Sequence, residues 1–122
     1  MVEIYKDYDD YLRNTKAILD KYKGEVGCTI MFSGYVRSYH IVNGKKVDCE
    51  GMSIYVDNLD KILENIGKKA IEKYGILNVI IYHNLGDLKV GDTIVSYFIL
   101  GRQRYESYEA LKYIVEEIKK YH

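Results

Sequence analysis

Apolar and polar positions along this chain follow two periods. Between residues 8 and 23, Tyr8, Tyr11, Leu12, Thr15, Ile18, Leu19 and Tyr22 recur three and four apart, and Gly24 follows. That spacing lines one face of an α-helix, and the glycine is a stop signal. The period then shortens. Val26, Cys28, Ile30, Phe32 and Val36 recur at even spacing, interrupted by Gly34, with Thr29, Ser33, Tyr35 and Arg37 between them. This predicts a strand with one buried face. Residues 38–46 read as an exposed connection, with Asn43-Gly44 as a turn signal and Lys45-Lys46 solvated. Residues 47–56 return as a strand.

The second half repeats the alternation of elements. Leu59, Ile62, Leu63, Ile66, Ala70 and Tyr74 form one stripe and predict a helix over 59–74, with Asn58 as its N-cap. Residues 77–83 are a strand too apolar to be exposed on both faces, and 92–100 form another, joined by a turn-rich link. From 103 to 120 the helical period returns, with Tyr108, Leu111, Ile114, Val115 and Ile118 facing inward. Glu116 and Lys120 stand four apart, placed to pair on the outer face. The order is therefore α-β-β-α-β-β-α. Adjacent strand pairs imply antiparallel pairing, an α+β fold and helices on one side of the sheet. No repeat, low-complexity stretch or linker interrupts the chain, so 1–122 reads as a single domain.

Composition narrows the function classes. The 18 basic and 18 acidic side chains cancel, so there is no general electrostatic pull on nucleic acid or membrane. Any bound anion must be held by a local cluster. No apolar run approaches the roughly 18 residues of a membrane span, and the start lacks an apolar signal core, so the cytoplasm is the expected compartment. Cys28 and Cys49 form no CxxC pair and read as buried thiols. Fourteen tyrosines against two phenylalanines favour half-buried rings at the rim of the core.

Common catalytic signatures are absent. Gly44-Lys45-Lys46 lacks the glycine spacing of a phosphate loop, no HExxH occurs, and His40, His83 and His122 are widely separated along the chain. Ser33-Gly34 lacks the frame of a nucleophile elbow. What remains is a set of cations at element ends. Arg37 ends a strand, Arg102 and Arg104 flank Gln103 at the start of the last helix, and Lys119 and Lys120 lie in its last turn. Arginines at a helix N-terminus suit an anion site. The plain alternatives are surface ion pairs for the arginines and helix-dipole complementation for the lysines.

Three blocks carry a resemblance. VGCTIMFSGYVR (26–37) resembles the G-A-x-x-x-F-x-G-x-V-R strand of the molybdopterin synthase large subunit, with Gly27, Phe32, Gly34, Val36 and Arg37 on its frame. VIIYHNLGDLKVGDTIV (79–95) resembles that family's H-R-x-G-x-L-x-x-G-E segment through His83, Gly86, Leu88, Gly91 and Asp92. GRQRYESYEALKYIVEEIK (101–119) resembles its H-R-x-x-A-F-x-A block and the following helix ending in Leu-Lys, through Arg104, Tyr108, Ala110, Ile118 and Lys119.

The resemblance implies a hammerhead-type α/β domain with an added small antiparallel sheet, forming a homodimer within a heterotetramer. It implies conversion of cyclic pyranopterin monophosphate to molybdopterin. The sulfur would come from the thiocarboxylated C-terminus of a small ubiquitin-like carrier subunit. Lys119 and Lys120 become candidate catalytic residues, and Phe32, Arg37, Gln103 and Arg104 candidate substrate-binding residues. No resident metal or cofactor is called for. Arginines would hold the anionic reactants by charge-assisted hydrogen bonds, and a lysine could stabilise the oxyanion that develops at the donor carbonyl.

Some positions depart from the family pattern. The family's P-x-W-K-K-E segment, with its second lysine, has no counterpart after Tyr121-His122. Gln103 replaces the histidine of its His-Arg pair, Asn84 replaces an arginine, and IYVDN (54–58) only weakly matches its YExY stretch. These changes bear on activity rather than fold. Two other readings stay open: a non-catalytic homologue that binds the carrier tail or a pterin phosphate, and a scaffold of this fold with another ligand.

Overall fold

Each helix forms where the sequence supplies an apolar stripe and a stop. In the computed structural model, which describes residues 2–122, the chain runs β1 (Glu3–Tyr5), α1 (Tyr8–Lys21), β2 (Cys28–Tyr35), β3 (Tyr39–Val42), β4 (Lys45–Asp48), β5 (Gly51–Ile54), α2 (Leu59–Tyr74), β6 (Asn78–His83), β7 (Gly86–Lys89), β8 (Thr93–Gly101) and α3 (Arg104–Lys119). Asp7 caps α1, its carboxylate accepting from the Asp10 N–H at 3.0 Å. Helix α2 spans the predicted residues and stops at Gly75, which is left-handed and donates its N–H to the Ile71 carbonyl. Asn58 does sit at the N-cap of α2. It is itself left-handed, however, and its side chain caps nothing.

The main sheet has the order β1-β6-β8-β2. Strand β8 pairs antiparallel with both β2 and β6, and β1 adds a parallel pair to β6. The three residues of β1 were not expected as a strand, and they make the sheet mixed. Two small antiparallel pairs, β3-β4 and β5-β7, stand apart from it. What reads as one strand over 47–56 is two, β4 and β5, which belong to different pairs. The hairpin β3-β4 turns at Asn43 and Gly44, both with positive φ, the signature of the tight turn that matches strand twist.

Helices cover both faces of the sheet, contrary to the expectation of one covered side. Leu63, Ile66 and Ala70 of α2 and Ala110, Ile114 and Ile118 of α3 pack with Val79, Ile81, Tyr97 and Ile99. On the opposite face Tyr11 and Ile18 of α1 pack with Ile80, Tyr82, Phe98 and Leu100. All six residues of β6 are buried, and a strand buried on both faces needs cover on both.

Strand β2 lies at the outer edge, so its inward face is only half covered. Phe32, expected in the core, is 36% exposed. Tyr108, expected inward on α3, is exposed, while Ser107 and Ala110 take the buried positions. Cys28 and Cys49 are free thiols of intermediate exposure rather than buried ones. No helix among the described residues is long and apolar enough to cross a membrane.

Candidate functional site

The outer end of β2 builds one wall of a cleft. Phe32 shares a face with Tyr97 of β8 and stacks on it, ring centroids 5.8 Å apart and planes 13° apart. A β-carbon at Gly34 would lie 3.3 Å from a Val95 methyl carbon and 3.9 Å from the Phe32 ring. The glycine thus lets the strand pass close to both. The register between β2 and β8 then shifts at Gly34/Tyr35, a bulge that re-aims the chain. Beyond it Val36 is buried, its N–H bonded to the Asp92 carbonyl at 2.9 Å, and Arg37 emerges at the surface.

Helix α3 supplies the other wall. Its last residue, Lys119, lines a cleft of about 390 Å³ with Phe32, Tyr35, Arg37, Tyr97 and His122. A contiguous lobe adds His40 and Met52. The structure therefore brings together three of the six sequence-predicted site residues: Phe32, Arg37 and Lys119. The two cations are uncommitted. Among the described residues no carboxylate forms an ion pair with Arg37 or Lys119. The Arg37 guanidinium instead stands 5.0 Å from the centre of the Tyr39 ring, which also receives the Lys46 ammonium at 4.5 Å. Two unpaired cations over an apolar floor of Phe32 and Tyr97 suit an anion with a flat organic body.

The other three candidates lie elsewhere. Lys120 bonds Glu117 at 2.6 Å, in place of the expected Glu116, and does not line the cleft. Gln103 and Arg104 line a separate pocket with Gly27, Cys28 and Arg102. Arg104 and Lys119 open and close the same 16-residue helix, so they stand about 22 Å apart at ~1.5 Å rise per residue. Arg104, like Arg37, forms no ion pair among the described residues, and its guanidinium stacks 5.0 Å from the Tyr105 ring centre.

The histidines, scattered in sequence, gather at the cleft. His40 and His122 line it, and the His83 ring meets that of His122 edge-on, centroids 5.0 Å apart. Burial pushes the His83 imidazole below its ordinary pKa, and the nearby His122 adds to that. His122 is pushed down as well, by desolvation and by the Lys119 charge. The sequence singles out His83 as part of the family-like 79–95 block and otherwise offers the three histidines only as metal ligands too widely separated to form a site. Among the described residues no three His, Cys, Asp or Glu side chains converge to hold a metal ion. His83 pairs with Val95 across β6 and β8, and Val95 lines the cleft, a register that sequence order alone does not carry.

Comparison with known proteins agrees with this architecture. The MoaE protein family profile matches residues 8–121. The chain is 39% identical over 119 residues to an uncharacterized protein of Methanocaldococcus jannaschii, covering 98% of this chain and 99% of that one. It is 31% identical over 94 residues to the molybdopterin synthase catalytic subunit of Pyrococcus abyssi. That match covers 77% of this chain and 62% of the subunit, so the chain spans less than two thirds of that relative. The fold matches the molybdopterin biosynthesis MoaE protein of Burkholderia ambifaria with a TM-score of 0.71 at 23% identity, over 98% of this chain and 76% of that one. It also matches a chain in the complex of subunits 1 and 2 of the Helicobacter pylori molybdopterin-converting factor, TM-score 0.66 at 23% identity, covering 97% and 77% respectively.

Proposed function

The chain belongs to the MoaE protein family, and from that premise we propose that it is the large, sulfur-inserting subunit of a cytoplasmic molybdopterin synthase. Its substrate is cyclic pyranopterin monophosphate, and its sulfur donor is the thiocarboxylated C-terminus of a small ubiquitin-like carrier. The observation that carries this reading is the meeting of Phe32, Arg37 and Lys119, remote in sequence, in one cleft. Arg37 holds an anionic group of the reactants. Phe32, stacked on Tyr97, offers a flat apolar surface to the pterin. Lys119 donates to the carbonyl oxygen of the donor as negative charge develops there, the kind of contact whose loss costs about 10²–10³ in rate.

The same reading assigns Gln103 and Arg104 to substrate binding, and in one chain they are too far from Lys119 to serve its cleft. A homodimer resolves this. Strand β2 is an open edge of the main sheet, with Cys28 beside the Arg104 pocket at one end and Phe32 and Tyr35 beside the Lys119 cleft at the other. Antiparallel pairing of two such edges about a two-fold axis brings the Arg104 pocket of one copy to the Lys119 cleft of the next. Each complete site then takes Phe32, Arg37 and Lys119 from one chain and Gln103 and Arg104 from its partner.

The placement of Lys120 favours a second reading. Bound to Glu117 outside the cleft, it leaves Lys119 as the one lysine lining the cleft among the described residues. That arrangement suits a homologue that binds the carrier tail or a pterin phosphate without turnover. Titrating the thiocarboxylated carrier into the protein by calorimetry, then adding cyclic pyranopterin monophosphate, separates the two. Binding followed by molybdopterin formation fits the synthase, and binding without product fits the second reading.

A further inference from the structure

We propose that His122 is an anion-binding residue of the cleft, one that takes up a proton when an oxyanion binds and then donates one N–H to the anion and the other to His83. The inference rests on the anion-binding role of the cleft. It adds to that role a residue and a proton.

His83 is the independent observation behind it. Its Nδ1 lies 2.6 Å from the Asn84 carbonyl oxygen. A carbonyl only accepts, so Nδ1 carries the ring proton and Nε2 presents a lone pair. His83 is 4% exposed, and its Nε2 is a buried side-chain atom without a hydrogen-bond partner among the described residues. Buried acceptors are rarely left without a donor. His83 is poorly placed to solve this by charging itself, because burial opposes an imidazolium there.

A candidate donor is His122, whose ring stands edge-on to His83 at 5.0 Å between centroids and 78° between planes. A neutral imidazole has one N–H, which can serve either the cleft or His83. An imidazolium has two and can serve both. In the free protein the charge is opposed by partial burial and by Lys119. The groups facing His122 are Lys119 of α3, Arg37 and Tyr35 at the end of β2, Tyr97 of β8, His40 of β3 and His83 of β6. None of these side chains is a carboxylate. An oxyanion held by Arg37 and Lys119 supplies the missing negative charge and reverses the balance, so that His122 protonates as the anion arrives. A turn of the His122 ring then brings an N–H onto His83 Nε2.

Inorganic sulfate is the probe, because its charge is constant between pH 6 and 8. Calorimetric titration of the protein in two buffers of different ionisation enthalpy reads the protons taken up per sulfate bound. Uptake approaching one proton at pH 7 is expected, with sulfate affinity rising as pH falls from 8 to 6 by up to about tenfold per unit. In His122→Asn both the uptake and the pH dependence should vanish. They should persist in His40→Asn. Sulfate binding without proton uptake, uptake unchanged in His122→Asn, uptake removed by His40→Asn, or no sulfate binding at all overturns the proposal. Failure of the proposed enzyme activity is distinguishable: proton-linked sulfate binding without molybdopterin formation leaves this inference standing, and molybdopterin formation without the proton linkage removes it alone.

Discussion

The Ser96 hydroxyl donates to the Tyr11 hydroxyl at 2.8 Å, and both residues are fully buried. The bond joins β8 to α1 through the face of the sheet that sequence reasoning left uncovered. Ser33 on β2 extends it with a further 2.8 Å contact to Ser96, so one polar thread ties the helix to the edge strand.

Ser96→Ala removes the middle of that thread and leaves the buried Tyr11 oxygen without this partner. A loss of about 1–3 kcal/mol of stability is expected. Tyr11→Phe in the Ser96→Ala background should recover part of it, because the stranded oxygen is gone. Urea unfolding midpoints check this, and an unchanged midpoint in Ser96→Ala contradicts it.

Stability should also depend on pH through His83. Its folded pKa is depressed, so below about pH 6.5, the ordinary histidine value, the unfolded chain binds more protons than the folded one. Stability is therefore fully present above that value and is lost as pH falls below it, at most at about 1.4 kcal/mol per pH unit for one proton. Unfolding midpoints from pH 8 to pH 5 should fall for the native chain, with a shallower slope in His83→Gln.

Close backbone packing yields a third expectation. A β-carbon at Gly27 would collide with the Arg102 carbonyl oxygen, and both residues line the Arg104 pocket. Gly27→Ala must displace backbone and should cost about 3 kcal/mol, the upper end of what overpacking costs. Gly24, with φ +96° and open space around it, should lose only about 1 kcal/mol on replacement by alanine, from backbone strain. Equal losses at the two positions, measured by thermal or urea unfolding, would contradict the packing argument.

The shared-site reading makes a stoichiometric prediction. Arg37→Ala and Arg104→Ala should each abolish turnover alone. Unfolded together and refolded, half the dimers pair unlike chains, and each of those carries one site built wholly from intact residues. About a quarter of the native activity should return. No recovery, with mixed dimers demonstrated by mass spectrometry, would contradict a site built across two chains.

Legibility followed the strength of each periodic signal. Helix α2 was readable residue by residue because Leu59, Leu63, Ile66 and Ala70 mark one face without interruption. Strand β1 was not, since Glu3–Tyr5 is too short to show a period. The hairpin β3-β4 was readable only as its Asn43-Gly44 turn, because β4 is exposed at every residue and leaves no alternation to read. The unbroken apolar run of 77–83 is legible as a strand buried on both faces, and that burial requires the helix on each face that the structure has. Within the site, resemblance supplied Phe32, Arg37 and Lys119. Sequence order could not separate Arg104 from Lys119, because a helix turns fifteen intervening steps into a span that no small substrate bridges. Nor could it bring His83 and His122 together, since that contact depends on where α3 ends over the sheet.

The most direct test of the central claim is turnover by the purified protein with cyclic pyranopterin monophosphate and thiocarboxylated carrier, scoring molybdopterin after oxidation to its fluorescent derivative. Product well above a carrier-only control is expected, with a loss of at least about 10²-fold in a folded Lys119→Ala variant. No product from the native protein, or undiminished product from Lys119→Ala, would contradict that claim.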